Sequence, residues 1–209
     1  MAKILGPKCR LCRREGLKLY LKGERCFTSK CAIVKRNYPP GIHGVKGRNK
    51  LSGYGIQLRE KQKAKRFYGL LERQFRIYFE RASHRKGNTA EMFLQMLEMR
   101  ADNVTYRLGF ADSHAQARQL VNHGHFKRNG KTITIPSMVL QVGDIISVDL
   151  GSQKSDHFKT IAVKLEKHET PLWVSLDVKN WQGKITALPT IEETAPIFDL
   201  KQIVEFYSR

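Results

Sequence analysis

Apolar residues recur at helical spacing through the middle of the chain. Between Ser52 and Ser83, Phe67, Leu71, Phe75, Tyr78 and Ala82 stand three or four residues apart, with Leu70 and Phe79 beside them, which predicts a helix with one buried face. Arg73, Arg76 and Arg81 occupy intervening positions. Gly87-Asn88 interrupts the pattern. Thr89 is placed to cap the next helix, whose stripe of Phe93, Met96, Leu97, Ala101, Val104 and Leu108 runs to Gly109. A further helix is predicted from Ser113, because Gln116 three residues on makes a capping-box pattern. Ala117, Leu120 and Val121 line one side of it before Gly124.

Past Gly124 the period falls to two. Phe126-Lys-Arg128, a turn at Asn129-Gly130, and Lys131 to Ile135 predict a β-hairpin ended by Pro136. Gly143-Asp144 turns the chain into a third strand, Ile145 to Val148. Trp173 to Val178 alternates like a strand, and Lys184 to Leu188 reads as another. Pro189 to Pro196 is a loop, and Leu200 to Tyr207 is a short apolar element of open type. Residues 1–50 show no helical period; Gly6-Pro7, Pro39-Pro40-Gly41, Gly44 and Gly47 separate basic residues. Such a segment buries no core unaided, so it is either disordered or stapled. The whole predicts an α+β chain in three parts: an N-terminal segment at 1–45, a helical domain at 46–92 completed by residues 180–209, and an inserted module at 93–179 of two helices and a small antiparallel sheet.

Charge adds a partner class. Lys and Arg number 38 against 19 Asp and Glu, a formal +19. The excess is +12 in residues 1–50 and +6 in 51–100, but +1 in 101–150 and zero in 151–209. A chain this basic meets a polyanion, and its first half supplies the phosphate-neutralising surface. The candidates are Arg10, Arg13, Arg14, Lys22, Arg25, Lys35, Arg36, His43, Lys46 and Arg48, then Arg59, Lys61, Lys63, Lys65, Arg66 and Arg73. Nucleic acid is favoured over a membrane, since there is no apolar run of ~18 residues and no basic amphipathic anchor. Met1 to Pro7 lack the apolar run of a secretory leader, so a cytosolic or, after processing, organellar protein is expected. Spacing assembles no triad, paired-carboxylate site or phosphate-cradling glycine motif, so neither an enzyme nor a small-molecule substrate is expected.

Cys9, Cys12, Cys26 and Cys31, the only cysteines, are spaced C-x2-C-x13-C-x4-C. In a reducing compartment two short-spaced pairs favour one tetrahedral metal over disulfides. Zinc is the default, and a four-cysteine iron–sulfur cluster needs the same ligands. With no open position the role is structural, and this metal knuckle is the expected staple of the first segment.

A second constellation lies between Asp102 and Gly130. A helix, a turn and a helix lead into the hairpin, so that Arg107, Arg118, His123 and Lys127 can share a polar edge along an RNA helix, with Ser113 and the following N-terminus donating to a phosphate beside His114. The alternative is salt bridges from the two arginines to Asp102 or Asp112 on a solvated face.

The run Arg100-Ala-Asp-Asn-Val, Arg118-Gln-Leu-Val-Asn-His-Gly-His125 and Asn129-Gly130 resembles the RNA-binding module of the small-subunit ribosomal protein four family. Cys9-Arg-Leu-Cys-Arg-Arg-Glu-Gly16, Leu21-Lys-Gly-Glu-Arg-Cys26, Tyr38-Pro-Pro-Gly-Ile-His-Gly44, Leu58-Arg-Glu-Lys-Gln-Lys63 and Ile203-Val-Glu-Phe-Tyr-Ser-Arg209 extend the likeness nearly end to end, in its cysteine-containing form. The resemblance implies a primary binder of small-subunit rRNA that nucleates assembly of the 5′ domain. It also implies a position where messenger RNA enters, contact with ribosomal protein five and nearness to ribosomal protein three, and an influence on decoding accuracy. Two positions depart from the pattern. His114-Ala115 stands where basic residues are common, and Arg128 where an apolar strand residue is common. Rival readings are an RNA-modifying enzyme carrying the module and a zinc-dependent nucleic-acid regulator.

Overall fold

The structure is a computed structural model, and it describes residues 4–46 and 50–208. It is α+β, as predicted, and divides into two compact units: residues 1–90 with 196–209, and residues 91–195.

The first unit holds α1 (Lys8–Glu15), α2 (Ala32–Lys35), α3 (Gly53–Phe67) and α4 (Glu72–Ser83), with 3-10 turns at Gly23–Cys26 and Ile42–Lys46. The aperiodic N-terminal segment therefore contains helix. α1 escapes notice because it buries only Cys12 and Glu15 rather than an apolar stripe. It ends at Gly16, whose left-handed φ of 76° lets its N–H reach Cys12 O at 2.8 Å. The single helix expected over 52–83 is two, because the left-handed Gly69 (φ 65°) interrupts the helical backbone between α3 and α4. Ser52 caps α3 by accepting from Gly55 N.

Residues 200–207, of open type by pattern, form a helix that packs along α3. Gln57 donates to Glu205 at 2.8 Å, Tyr207 stacks on Phe79 with ring centroids 4.6 Å apart, and Phe198 packs against Phe67 and Tyr68. Phe75, Tyr78 and Phe79 are buried, so these aromatics are core, in agreement with their spacing.

The second unit begins within the first turn of α5 (Thr89–Glu98). Asn88 Oδ1, rather than the expected Thr89, accepts from Ala90 N at this helix start. The stripe through Leu108 was expected on one helix, but α5 stops and α6 (Ala101–Arg107) starts anew. Tertiary bonds cause the break. Leu140 N reaches Met99 O, Ala101 N reaches Met138 O, and Asp102 N reaches Pro136 O, so residues 99–102 pair with the 136–140 segment instead of each other. α7 (His114–Asn122) starts at Ser113 as predicted, Ser113 accepting from Gln116 N. Gln116 reaches back to Asp112 N at 2.9 Å, one residue short of a full capping box.

Five antiparallel strands follow in the order β2-β1-β3-β5-β4. They are β1 (Phe126–Arg128), β2 (Lys131–Ile133), β3 (Ile145–Val148), β4 (Val174–Asp177) and β5 (Gln182–Ile185). Asn129 (φ 48°) and Gly130 (φ 82°) make the tight turn of the predicted hairpin. Between β3 and β4 lie α8 (Leu150–Gln153) and α9 (Asp156–Leu165), not expected from the pattern, and α10 (Ile191–Thr194) follows β5 where a loop was expected. Phe158, Ile161 and Leu165 of α9 join Phe110, Val121, Phe126, Ile146 and Trp173 in one core. Gly183 is needed for close packing, since a Cβ there would lie 2.4 Å from the buried Leu108 side chain.

The expected three-part division is corrected at its boundaries. β5 pairs with both β3 and β4, which assigns residues 180–195 to the sheet-bearing unit. Only residues 196–209 return to the helical one, and residues 1–45 belong to that same unit.

Candidate nucleic-acid interface

The two units divide the charge completely. Residues 91–195 carry as many acidic as basic side chains, so the whole +19 belongs to residues 1–90 and 196–209.

Arg10, Arg13, Arg25, Lys30, Lys35 and Arg36 line one cleft of about 450 Å³ beside α1 and α2. Arg10, Arg25, Lys35 and Arg36 are exposed. Arg13 is held: its guanidinium donates to the carbonyls of Tyr38 (3.0 Å) and Pro39 (3.2 Å) and sits 4.7 Å over the Tyr38 ring. It therefore fixes the 38–40 loop as well as adding charge. Lys30 was missed, although its place between Arg25 and Lys35 was a signal. Gly44 tucks so close to this loop that a Cβ would lie 1.9 Å from Pro39 O. Arg14, Lys22, His43, Lys46 and Arg73 are exposed, and Arg48 lies outside the described residues.

The basic run of α3 is arranged otherwise. Arg59 and Arg66 both pair with Glu15, whose side chain is fully buried. Burial pushes the Glu15 carboxyl up, against the pull of Arg66 and Arg59. Lys63 pairs with Glu60, and Lys61 and Lys65 bond Glu72 at 2.7 and 2.8 Å. Lys61 is itself buried, its ammonium 4.5 Å over the Phe206 ring. These cations join α1, α3, α4 and the 200–207 helix rather than forming an open phosphate track.

In the second unit the polar edge resolves into a buried network. Arg107 forks onto the fully buried Glu98, Nε to Oε2 at 2.9 Å and NH2 to Oε1 at 2.7 Å. Asn103 Nδ2 donates to the same carboxylate at 2.6 Å. Asn103 Oδ1 therefore faces His114 Nε2 at 2.9 Å, and the imidazole is the donor. Burial, then the charges of Arg107 and Arg100, hold the His114 pKa down to about 3. Arg100, buried and not singled out by sequence, forks onto Asp102 at 2.9 and 2.6 Å, and Arg118 adds a bond at 3.2 Å. Asp102 was expected at a helix surface but is buried. Of the two readings of Arg107 and Arg118, the geometry matches ion pairing, to Glu98 and Asp102. Ser113 is buried as the α7 cap, while His123 is exposed. Lys127 pairs with Asp149 at 2.7 Å. The unusual Arg128 pairs with Asp144, which also takes bonds from Asn129 and Gln141 N.

The four cysteines line one small cavity of about 20 Å³, with Leu21 and Ala32 among its walls. All four thiols are free. Burial pushes the Cys12 thiol up, a bond from the Leu19 backbone opposes this, and the charges of Cys26, Cys9 and Cys31 raise it further. Among the described residues no three or more His, Cys, Asp or Glu side chains stand in ligand geometry. No helix of the described residues is long and apolar enough to cross a membrane.

Such an arrangement defines a cationic α+β binding protein: one unit carries the net charge and a basic cleft, and a neutral unit is cross-linked by internal ion pairs. Residues 3–98 match the family described as ribosomal protein S4/S9 N-terminal domain, and residues 99–146 match the S4 domain. The chain is 54% identical to small ribosomal subunit protein uS4 of Caldicellulosiruptor bescii and 55% identical to that of Caldicellulosiruptor saccharolyticus. It is 56% identical to uS4A of Alkaliphilus oremlandii, and in all three cases 100% of both chains is covered. The chain belongs to the S4 family of small-ribosomal-subunit proteins.

Proposed function

We propose that the chain is a non-enzymatic, structural constituent of the small ribosomal subunit in the cytoplasmic ribosome, binding small-subunit rRNA directly. The observation that carries this reading is the location of the whole +19 in the unit that bears the basic cleft. Full-length likeness to proteins named for the small subunit supports it. The cleft neutralises RNA phosphates, and the second unit docks through shape rather than net charge. The RNA is the 5′ domain, bound early so that assembly nucleates there. In the assembled subunit the protein lies where messenger RNA enters, against ribosomal protein five and near ribosomal protein three, and influences decoding accuracy. Filter binding at matched salt, comparing a 5′-domain rRNA fragment with duplex DNA of equal length, tests the target. Preference for the rRNA is expected, and equal or greater affinity for DNA overturns the reading.

Zinc bound by Cys9, Cys12, Cys26 and Cys31 completes this proposal, with an iron–sulfur cluster as the alternative. Support comes from the spacing and from the single cavity that all four side chains line. Bound there, the metal supplies a structural cross-link between α1 and the 26–31 turn. Arg10, Arg13, Arg14 and Arg25 lie close in sequence to the thiolates, whose negative charge they offset. Metal analysis of the purified chain decides between zinc, iron and none.

A further inference from the structure

Among the described residues Phe27 and Tyr54 are the exposed aromatic side chains, and Phe27 is the more open, at 76% against 52%. Tyr54 rests against Phe206 where α3 meets the 200–207 helix, with ring centroids 5.6 Å apart. Phe27 meets Tyr20 instead, with centroids 5.1 Å apart and ring planes 29° from parallel. Its exposure leaves most of the ring in solvent. Both ring and backbone are held. Tyr20 takes a left-handed φ of 51°, strained for a bulky side chain although glycine would adopt it freely. The Phe27 N–H donates to Glu24 O at 3.0 Å. The Thr28 hydroxyl donates to Arg25 O at 3.1 Å and accepts from Lys30 N at 3.3 Å, which closes the turn around Phe27.

A single exposed apolar residue is ordinary on a protein surface. Phe27 differs in two respects. Its ring is fixed before any partner arrives, so little conformational freedom is lost on binding. Its neighbours are polar and cationic: Thr28, Ser29 and Lys22 are exposed, and Arg25 and Lys30, two residues before it and three after, line the basic cleft. The core of a protein–protein interface is depleted in charge, so this setting does not suit one. It suits a polynucleotide strand, whose phosphates meet the cations while a base meets the aromatic face. We propose that Phe27, backed by Tyr20, is a stacking platform for one unpaired base of the bound rRNA. Every base has a π-face, so the platform holds a base without choosing which. The inference rests on the chain's being an rRNA binder.

Filter binding of the 5′-domain rRNA over a salt series tests this with full-length wild type, Phe27→Leu and Phe27→Trp. The leucine keeps apolar bulk but has no ring, and is expected to weaken binding about tenfold at every salt concentration. The slope of log affinity against log salt should not change, because no phosphate contact is lost. Phe27→Trp should bind at least as tightly as wild type. Its added indole also gives a direct reading that does not depend on the leucine variant folding normally: the extra emission over wild type should be quenched when rRNA binds, as a base stacks on the ring. Wild-type affinity in Phe27→Leu overturns the inference, and so does an added emission that bound rRNA leaves unchanged. If Phe27→Leu binds rRNA normally yet is under-represented in assembled small subunits, the ring meets a protein instead, which also overturns it. In each of these cases wild type still binds and the proposed function stands. Wild type that fails to retain the rRNA overturns that function and this inference with it.

Discussion

At the scale of single residues, Arg107 and Arg118 are where sequence and structure part. An arginine on a helix has the same letter and spacing whether it faces RNA or a carboxylate. Only the fold places Glu98 and Asp102 under these two. The consequence for Arg107→Ala is loss of stability rather than of a phosphate contact. Removing the guanidinium takes the cation from the buried Glu98 carboxylate, to which Asn103 still donates, and costs up to about 3–5 kcal/mol. Urea denaturation followed by tryptophan fluorescence reads this cleanly, because both tryptophans, Trp173 and Trp181, lie in residues 91–195. A shift in RNA affinity with unchanged stability would contradict the ion-pair role.

His114 gives a second residue-scale expectation. Its folded pKa of about 3 lies below the ordinary 6.5, so the unfolded chain takes up the proton first as pH falls. The second unit therefore loses stability between pH 6.5 and 3, and is unaffected by this group above 6.5. His114→Gln flattens that part of the dependence in fluorescence-detected melts. An identical pH profile in wild type and variant counts against a buried neutral imidazole.

Among elements, the legible ones had strong local signals. Ser113 with Gln116 announced α7, and Asn129-Gly130 announced the hairpin. Gly69 was visible in the sequence, yet the apolar spacing ran on through it. The break at Met99-Arg100 has no local signal, since its cause is pairing with residues 136–140. α9 did carry Phe158, Ile161 and Leu165 at helical spacing, but over too few turns to stand out. α1 fails in the opposite way: its inward residues are a cysteine and a glutamate, which no hydrophobic pattern detects.

The cysteine cluster sets the element-scale prediction. Cys9→Ser removes one of four side chains around the cavity that joins α1, the 23–26 turn and α2. Protease sensitivity should rise within residues 1–45, while the tryptophan-reported transition of residues 91–195 stays in place. An N-terminal cleavage pattern like that of wild type would argue against the metal cross-link.

For the molecule as a whole, composition was a better guide than pattern, because charge needs no register. The excess in the first hundred residues foretold which unit is cationic, though not that most of the α3 run is internally paired. The salt dependence of rRNA binding should follow that division. Arg10→Gln with Arg36→Gln, both exposed in the basic cleft, should lower the slope of log affinity against log salt by about 1 for each contact removed. Arg118→Gln should leave the slope unchanged. A slope that responds to Arg118 and ignores the cleft would relocate the phosphate contacts to the neutral unit.

The return of residues 196–209 to α3 has a consequence for biosynthesis. Gln57 waits 148 positions for Glu205, whereas residues 91–195 form an uninterrupted stretch that leaves the exit tunnel as one piece. A nascent chain thus completes its electroneutral half while the cationic half still lacks a wall. Translation intermediates stalled before Pro196 should resist protease in the former and yield in the latter.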